Sequence, residues 1–257
     1  MDIAIIGFGK MGKIYDSLLN GKYIVDVNPV MNRIYFSNVD EFIDYRQPVD
    51  LVIVSTPIQN HYEIVKKLLM NDYNVLCEKP LCFSSNEAKI LENLAQKRKL
   101  ILYQSTLERY NPIVQFLKRN IKTHEIKKIK SYRFGLKPQR DYSINPKFDL
   151  GIHDIDLWFY LFERKIPWQV NVEYGKPRRE IFVYLKNGNL IKLDLLNKMF
   201  TFNKTSIMDF SKTHQNNPIL DMVFDLLFNR MAMNEKWSDE IKALEEASDS
   251  IINLQPI

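Results

Sequence analysis

The chain has 257 residues, of which 46% are hydrophobic and 26% are charged, so it can fold as one large domain or two modest ones. Its longest apolar runs are far shorter than the roughly 20 residues of a membrane-spanning helix, and its net charge of +5 is spread along the chain without a base-reading motif. We therefore expect neither a membrane nor a nucleic-acid partner. The apolar run Ile3 to Ile6 ends at Gly7, which predicts a first strand rather than a targeting peptide and a cytosolic protein.

The first hundred residues alternate short apolar runs with amphipathic stretches, a pattern typical of βαβ units and a parallel sheet. Strands are predicted at Asp2 to Ile6, Tyr23 to Val27, Leu51 to Ser55, Asn74 to Glu78 and Leu100 to Gln104. Helical spacing of apolar residues predicts helices at His61 to Met70 and Asn86 to Lys97, the second with Ser84 or Ser85 as N-cap.

From about Ile129 the pattern changes to one of short strands joined by turns. Strands are predicted at Lys130 to Leu136, Trp168 to Tyr174, Ile181 to Leu185, Leu190 to Leu195 and Phe200 to Asn203, with Asn187-Gly188 as a hairpin turn. Helices are predicted at Leu150 to Phe162, Pro218 to Met231 and Asp239 to Asn253. The fold class is thus α/β: a Rossmann domain with a parallel sheet over residues 1–118, then a smaller α+β domain with a mostly antiparallel sheet over residues 119–257.

The segment Gly7-Phe8-Gly9-Lys10-Met11-Gly12 follows an apolar strand and opens a helix, which is the context that a G-x-G-x-x-G motif requires. The first glycine permits a tight turn, the second lets a pyrophosphate approach the backbone, and the third lets helix and strand pack closely. Asp26, nineteen positions after Gly7, can accept hydrogen bonds from ribose hydroxyls and would repel the 2′-phosphate of NADP. NAD is therefore favoured over NADP, although Arg33 weighs slightly toward NADP.

Two cysteines, Cys77 and Cys82, have the spacing of neither a zinc site nor a redox pair, so we predict packing thiols and no metal. The first of them opens Cys77-Glu78-Lys79-Pro80 at a strand end, and a second distinctive segment runs from Asp149 to Asp156 with the sequence D-L-G-I-H-D-I-D. With Thr56-Pro57, His61 and the segment Glu108-Arg109-Tyr110-Asn111-Pro112, these motifs resemble the Gfo/Idh/MocA oxidoreductases over nearly the whole chain. The E-R-Y-N-P, Pro138-Gln139-Arg140 and D-L-G-I-H-D-I-D segments are most similar to the branch that oxidises the 3-hydroxyl of UDP-N-acetylhexosamines.

The resemblance implies a hydride transfer between a sugar or nucleotide-sugar hydroxyl and nicotinamide. Such a reaction releases a proton, so a group that accepts one near neutral pH must contact the reacting oxygen. His153 has that property, and Lys79 can stabilise the developing negative charge or, with a lowered pKa, act as the base. Asp149 lies four positions before His153, and if both are helical they share one face. The resemblance gives Asp149 a catalytic, substrate-contacting role, while Asp156 can orient His153 or pair with a basic residue.

Further cofactor contacts are implied beyond the glycine segment and Asp26. They are predicted at Ser55, Thr56, Pro57, His61, Glu78 and Lys79. His61 is interpreted as a structural or cofactor-edge residue, Glu78 as a ribose contact with a salt bridge as the alternative, and Lys79-Pro80 as a candidate cis peptide. Arg109 and Arg140 can clamp a substrate diphosphate, although surface salt bridges explain them almost equally well.

The second domain is shorter than the resemblance predicts, which affects both the pocket wall and the sheet through which such enzymes form homo-oligomers. We still expect a homo-oligomer with a small-molecule substrate. Two alternatives to a sugar dehydrogenase stay open. One is a reductase of an imine, a keto compound or a bilin on the same scaffold, and the other is a non-catalytic NAD-binding regulator.

Overall fold

The computed structural model describes residues 1–138, 144–212, 217–229 and 235–256. The chain forms two compact units: Met1–Ser105 with Ile219–Ile241, and Thr106–Pro218 with Lys242–Ile257. This division differs from the ranges 1–118 and 119–257 in where residues 106–118 and 219–241 belong. Among the described residues, no helix is long and apolar enough to cross a membrane.

The first unit is built on a six-stranded parallel sheet. Its strands are β1 Ile3–Ile6, β2 Tyr23–Val25, β3 Ile34–Phe36, β4 Leu51–Val54, β5 Val75–Cys77 and β6 Leu102–Gln104, in the order β3-β2-β1-β4-β5-β6. Every residue of β1 and β4 is buried, as expected of central parallel strands covered on both faces. All six strands point their carboxyl ends toward one edge, and the strand order reverses between β1 and β4, where open α/β sheets bind ligands.

Four helices connect these strands: α1 Lys10–Leu19, α2 Val39–Asp44, α3 His61–Met70 and α4 Ser85–Arg98. The bounds of α3 match the prediction, and α4 differs from its prediction by one residue at each end, with Ser84 as N-cap. Neither β3 nor α2 was predicted. A capping box announces α2, because Asn38 Oδ1 accepts a hydrogen bond from Glu41 N (3.0 Å) and Glu41 Oε2 accepts one from Ser37 N (2.9 Å).

The second unit contains a seven-stranded sheet beside two helices. Its strands are β7 Ile126–Gly135, β8 Trp168–Tyr174, β9 Arg178–Leu185, β10 Leu190–Asp194, β11 Met199–Phe202, β12 Ser206–Asp209 and β13 Ile251–Leu254, in the order β12-β11-β10-β9-β7-β8-β13. Only β7 and β8 pair in parallel, so the prediction of a mostly antiparallel sheet is confirmed. The helices are α5 Pro112–Asn120 and α6 Ile152–Phe162, and α6 lies in the crossover between the parallel strands.

The returning segment of the first unit, Ile219–Ile241, contains most of α7 Pro218–Phe224, a π-helical turn over Asp225–Asn229 and the first half of α8 Trp237–Glu246. The ring of Trp237 meets Tyr103 of β6 edge-on at 5.1 Å. Glu240 accepts a hydrogen bond from Gln104 (3.0 Å), and Ser238 donates two to Glu92 of α4. These contacts attach the segment to β6 and α4.

The predicted helix from Asp239 to Asn253 is wrong in its second half. Helix α8 ends at Glu246, and β13 follows as a strand antiparallel to β8. Its residues alternate between exposed and buried, a period of two that a helix does not show. Ile252 points inward, and a Cβ added to Gly151 would lie only 2.6 Å from its Cδ1 atom. The neighbouring prediction for Pro218 to Met231 ends outside the described residues at Met231.

Replacing each of the two adjacent isoleucines of β13 by alanine tests whether this segment is a strand. Ile252 is fully buried and Ile251 is 38% exposed. We expect Ile252→Ala to lower the free energy of unfolding by about 2–5 kcal/mol, because it leaves a cavity in the core. Ile251→Ala should change it by about 0.5 kcal/mol or less. Urea unfolding of both variants measures the difference, and equal losses would contradict the alternation.

Candidate functional site

A sterically crowded turn joins β1 to α1 at the carboxyl edge of the parallel sheet. Gly7 has φ +90°, and a Cβ there would lie 2.8 Å from backbone atoms of Ser55 and Thr56. A Cβ on Gly12 would lie 2.0 Å from the carbonyl oxygen of Gly7. No side chain fits at either position without moving backbone, so the turn itself requires both glycines. Ser55 stabilises the turn, since its hydroxyl donates a hydrogen bond to Gly7 O (2.7 Å).

The N-terminus of α1 opens at this turn. Its N-cap is Gly9, which supplies no capping side chain, and the first turn carries no acidic residue. The first N–H groups of a helix have no partner within the helix and bear partial positive charge, so they suit an anion such as a pyrophosphate. Lys10 is exposed at the first position of the helix, and Phe8 and Met11 are half-buried beside it.

Asp26 lies directly after β2 and next to the glycine turn. Its Oδ2 accepts a hydrogen bond from Phe8 N (2.6 Å) and its Oδ1 accepts one from Asn28 N (2.8 Å). Arg33 lies at the other end of these strands. It directly precedes β3, and the first residue of β3 pairs with the first residue of β2. It pairs with Asp16 of α1 at 3.1 Å. Asp26 and Arg33 therefore lie at opposite edges of the sheet.

His61 links the segment after β4 to the segment after β5. It is buried, with Nε2 2.9 Å from Thr56 O and Nδ1 2.9 Å from Pro80 O, and burial lowers its pKa. The Lys79-Pro80 bond is cis. Pro57 caps a short 3₁₀ helix that leads into α3. Of the two interpretations of His61, this geometry supports the structural one.

The hydroxyl of Thr56 gives a direct test of whether a ligand fits this edge. Its Oγ1 is buried and has no hydrogen-bond partner among the described residues. A buried polar atom without a partner is costly, so native structures rarely leave one unless a ligand or solvent satisfies it. The open helix terminus, the carboxylate of Asp26 and this hydroxyl together fit a dinucleotide.

Glu78 and Lys79 follow β5 at the same edge, and both are half-buried. Glu78 Oε1 accepts a hydrogen bond from the hydroxyl of Tyr15 (2.7 Å), which also lies 3.2 Å from Ser105 Oγ. The sequence interpretation missed Tyr15 and Ser105. Tyr15 lies three positions after Gly12, on the buried side of α1, and this position was the available signal.

Asp149 and His153 belong to the second unit and are both half-buried. Asp149 lies in a π-helical turn over Lys147–Gly151, and His153 is the second residue of α6. A π-helical turn closes hydrogen bonds from i to i+5, so a residue four positions on still lies about one turn away. The hydroxyl of Tyr174 is 2.8 Å from Ile144 O and 3.4 Å from Asp149 Oδ2, and its single proton can be donated to either of them.

Two buried ion pairs hold α6 within the turn that follows His153. Asp156 accepts hydrogen bonds from Arg109 Nε (2.9 Å) and Nη2 (2.6 Å), and Asp154 pairs with Arg133 of β7. Arg133 also donates to Glu108 Oε1 (2.9 Å). Burial raises the pKa of Asp154, and the charge of Arg133 acts in the opposite direction.

Of the alternatives left open for Asp156, the structure shows pairing with a basic residue, and Arg109 is that residue. The substrate contacts proposed for both stay predictions, and Arg140 lies outside the described residues. The sequence interpretation missed the Arg133 network, although the alternation of Ile129, Ser131 and Arg133 on one face of β7 was its signal. Within the described part of the chain, no group of three or more His, Cys, Asp or Glu side chains is arranged to hold a metal ion.

Breaking the buried ion pair between Arg133 and Asp154 should destabilise the protein strongly. Arg133→Met leaves Asp154 as a buried carboxylate without its cation and leaves Glu108 with only the partly exposed Arg179, so we expect a loss of about 3–5 kcal/mol in the free energy of unfolding. The control is Lys67→Met, which breaks the exposed pair with Asp40 and should cost about 1 kcal/mol or less. Denaturant unfolding compares the two, and a similar loss in both would show that the Arg133 network does not anchor α6.

Residues 1–106 match the Gfo/Idh/MocA family model, described as an oxidoreductase family with an NAD-binding Rossmann fold. Two curated relatives are similar in sequence. Glucose-6-phosphate 3-dehydrogenase of Bacillus subtilis is 34% identical over 143 residues, which cover 50% of this chain and 40% of the relative. UDP-N-acetylglucosamine 3-dehydrogenase of Acidithiobacillus ferrooxidans is 26% identical over 175 residues, which cover 63% and 54%. The matched part of the chain thus spans about half the length of these relatives.

Similarity to solved structures extends over almost the whole chain. A crystal structure of the UDP-N-acetylglucosamine 3-dehydrogenase from Acidithiobacillus ferrooxidans superposes with a TM-score of 0.78, covering 96% of each chain at 19% identity. At this identity the match establishes the fold, and it includes the antiparallel sheet that the family model does not reach. The predicted fold class is confirmed.

Proposed function

We propose that this chain, whose residues 1–106 match the Gfo/Idh/MocA family model, is an NAD-dependent dehydrogenase that oxidises the 3-hydroxyl of a phosphorylated or nucleotide-linked hexose. The observation that carries this proposal is the carboxyl edge of the parallel sheet. There the glycine turn, Thr56, His61 and the segment Glu78-Lys79-Pro80 are joined by direct contacts. We further propose that the protein works in the cytosol and that it forms a homo-oligomer, the second of which the family resemblance implies.

The residues of this edge divide between the two halves of a dinucleotide. The N-terminus of α1 would hold the pyrophosphate, and Asp26, beside the adenosine half, would accept from the ribose hydroxyls. On the other side of the strand reversal, Thr56 and Glu78 would contact the nicotinamide half. When bound, the nicotinamide ring supplies the hydride acceptor, and the side chains around it position the ring and exclude water.

The position of Arg33 supports NAD over NADP. A 2′-phosphate would lie beside the carboxylate of Asp26, and two like charges in contact repel each other by several kcal/mol at a partly buried site. Arg33 was the sequence feature that weighed toward NADP, but it pairs with Asp16 near the opposite edge of the sheet. The carboxylate of Asp26 therefore supports NAD as the coenzyme.

Proton transfer is assigned to Lys79 and His153. Oxidation of a secondary alcohol sends a hydride to nicotinamide and releases the hydroxyl proton, and the family resemblance implies that Lys79 or His153 accepts that proton. Asp149 would hold a neighbouring hydroxyl of the sugar. The buried pairs of α6 support this role for His153, because they restrain the helix that carries it.

The names of the two curated relatives support oxidation at carbon 3. One relative is a 3-dehydrogenase of glucose 6-phosphate and the other a 3-dehydrogenase of UDP-N-acetylglucosamine. Their substrates share a hexose and an attached phosphate but differ in where the phosphate lies. The positive net charge of the chain suits such anionic substrates. UDP-N-acetylhexosamine is the sharpest version of the proposal, because the relative that acts on it matches the larger share of this chain.

Absorbance at 340 nm with NAD and a panel of sugars, sugar phosphates and UDP-sugars tests the activity. We expect turnover with a phosphorylated or UDP-linked hexose, and a loss of kcat of at least about hundredfold in Lys79→Ala and in His153→Ala. The matched controls are Lys127→Ala and His124→Ala, which change exposed residues. Full turnover without Lys79 and His153, as a reductase of a different substrate predicts, would contradict the mechanism. Tight NADH binding with no turnover of any sugar would favour the regulator.

Binding of NADH and NADPH tests the coenzyme preference. We expect the wild type to bind NADH at least about tenfold more tightly, and Asp26→Asn to narrow this ratio because it removes the charge that repels the 2′-phosphate. Arg33→Ala should leave the ratio unchanged. Fluorescence titration measures both dissociation constants, and weaker NADPH binding in Arg33→Ala would show that the arginine does reach the 2′-phosphate.

A further inference from the structure

We infer that Tyr15 is a positioning residue for the nicotinamide half of the cofactor, because it holds the carboxylate of Glu78 in one orientation. This inference rests on the proposed dinucleotide site and adds to it a residue outside the glycine motif. Tyr15 has no exposed surface, so it does not itself touch a ligand. Its effect on the cofactor passes through Glu78.

Tyr15 connects three elements of the first unit. It lies in α1, the helix that begins at the glycine turn. Its hydroxyl is 2.7 Å from Glu78 Oε1, directly after β5, and 3.2 Å from Ser105 Oγ, directly after β6. One side chain therefore connects the helix beneath the pyrophosphate to the strand end that carries Glu78 and Lys79.

The direction of these hydrogen bonds follows from the number of protons. A phenol has one proton, and a carboxylate can only accept, so Tyr15 donates to Glu78. Ser105 must then donate to the phenol oxygen. Burial, followed by the negative charge of Glu78, raises the pKa of Tyr15 well above its ordinary value, which keeps the phenol protonated as a donor. The result is a series of two hydrogen bonds, in which Ser105 donates to Tyr15 and Tyr15 donates to Glu78.

These hydrogen bonds restrict the Glu78 side chain, which would otherwise be free to rotate. Glu78 is half-buried at the mouth of the site, and its second oxygen lies 3.3 Å from Lys79 N. A glutamate held by a partner loses less conformational freedom when a ligand binds than an unrestrained one. Since the two hydrogen bonds leave lone pairs of the carboxylate unused, it can still accept from a ribose hydroxyl.

Tyr15→Phe removes the hydroxyl and keeps the ring that fills the core. We expect this variant to bind NADH about two- to tenfold more weakly, because the unrestrained Glu78 side chain must then be ordered when the ligand binds. Binding of ADP, which lacks the nicotinamide half, should be unchanged. In a Glu78→Ala background Tyr15→Phe should weaken NADH binding no further. Tyr23→Phe, a buried tyrosine of β2, is the matched control and should leave both ligands unaffected.

Titration calorimetry of each variant with NADH and with ADP separates the outcomes. Equal weakening of NADH and ADP in Tyr15→Phe would show a general packing role and overturn the inference, as would unchanged NADH binding. A wild type that binds neither ligand would overturn the dinucleotide site, and the role of Tyr15 with it. If Tyr15→Phe does not fold, Ser105→Ala decides instead: it should weaken NADH binding by a smaller factor with ADP unaffected, and no change for NADH would overturn the inference.

Discussion

The close approach of α1 to the ends of β1 and β4 is the constraint on which the first unit depends. Because no Cβ fits at Gly7 or Gly12, the turn brings the backbone of Gly7 against Ser55 and the start of α1 against Gly7. The helix terminus therefore lies at the reversal of strand order, with its N–H groups open. Asp26, Thr56 and Glu78 each take their place relative to this turn, through Phe8, the backbone after β4 and Tyr15.

The second unit solves its positioning problem by different means. Its candidate catalytic side chains lie on a π-helical turn and the first turn of α6, where Gly151 packs closely against the Ile252 side chain but has an ordinary helical φ, unlike Gly7. Instead, Arg109 and Arg133 hold Asp156 and Asp154 from the interior. Buried ion pairs contribute little net stability because desolvation offsets their attraction, but they tolerate few alternative arrangements. That property suits a helix that carries the histidine proposed for proton transfer.

An element of the fold could be predicted from the sequence when its buried residues form a clear apolar pattern. Strands β1 and β4 and helix α3 were predicted because their apolar patterns are continuous or sharply periodic. Strand β3 was missed because its three residues are partly exposed, and β13 was missed because a short alternating run beside α8 also fits a helix. The glycine motif could be interpreted in full, since its chemistry is local. The pairing of Arg109 with Asp156 joins residues far apart in sequence, and neither residue type reveals its partner.

The central claim is that the glycine turn and the strand end at Glu78 bind the two halves of one dinucleotide. Hydrogen–deuterium exchange of the wild type with and without saturating NADH tests it most directly. The account predicts slowed exchange at the amides of residues 8–13 and at those of residues 78 and 79, in the same titration. Binding of NADH that leaves the exchange of residues 8–13 unchanged would contradict it.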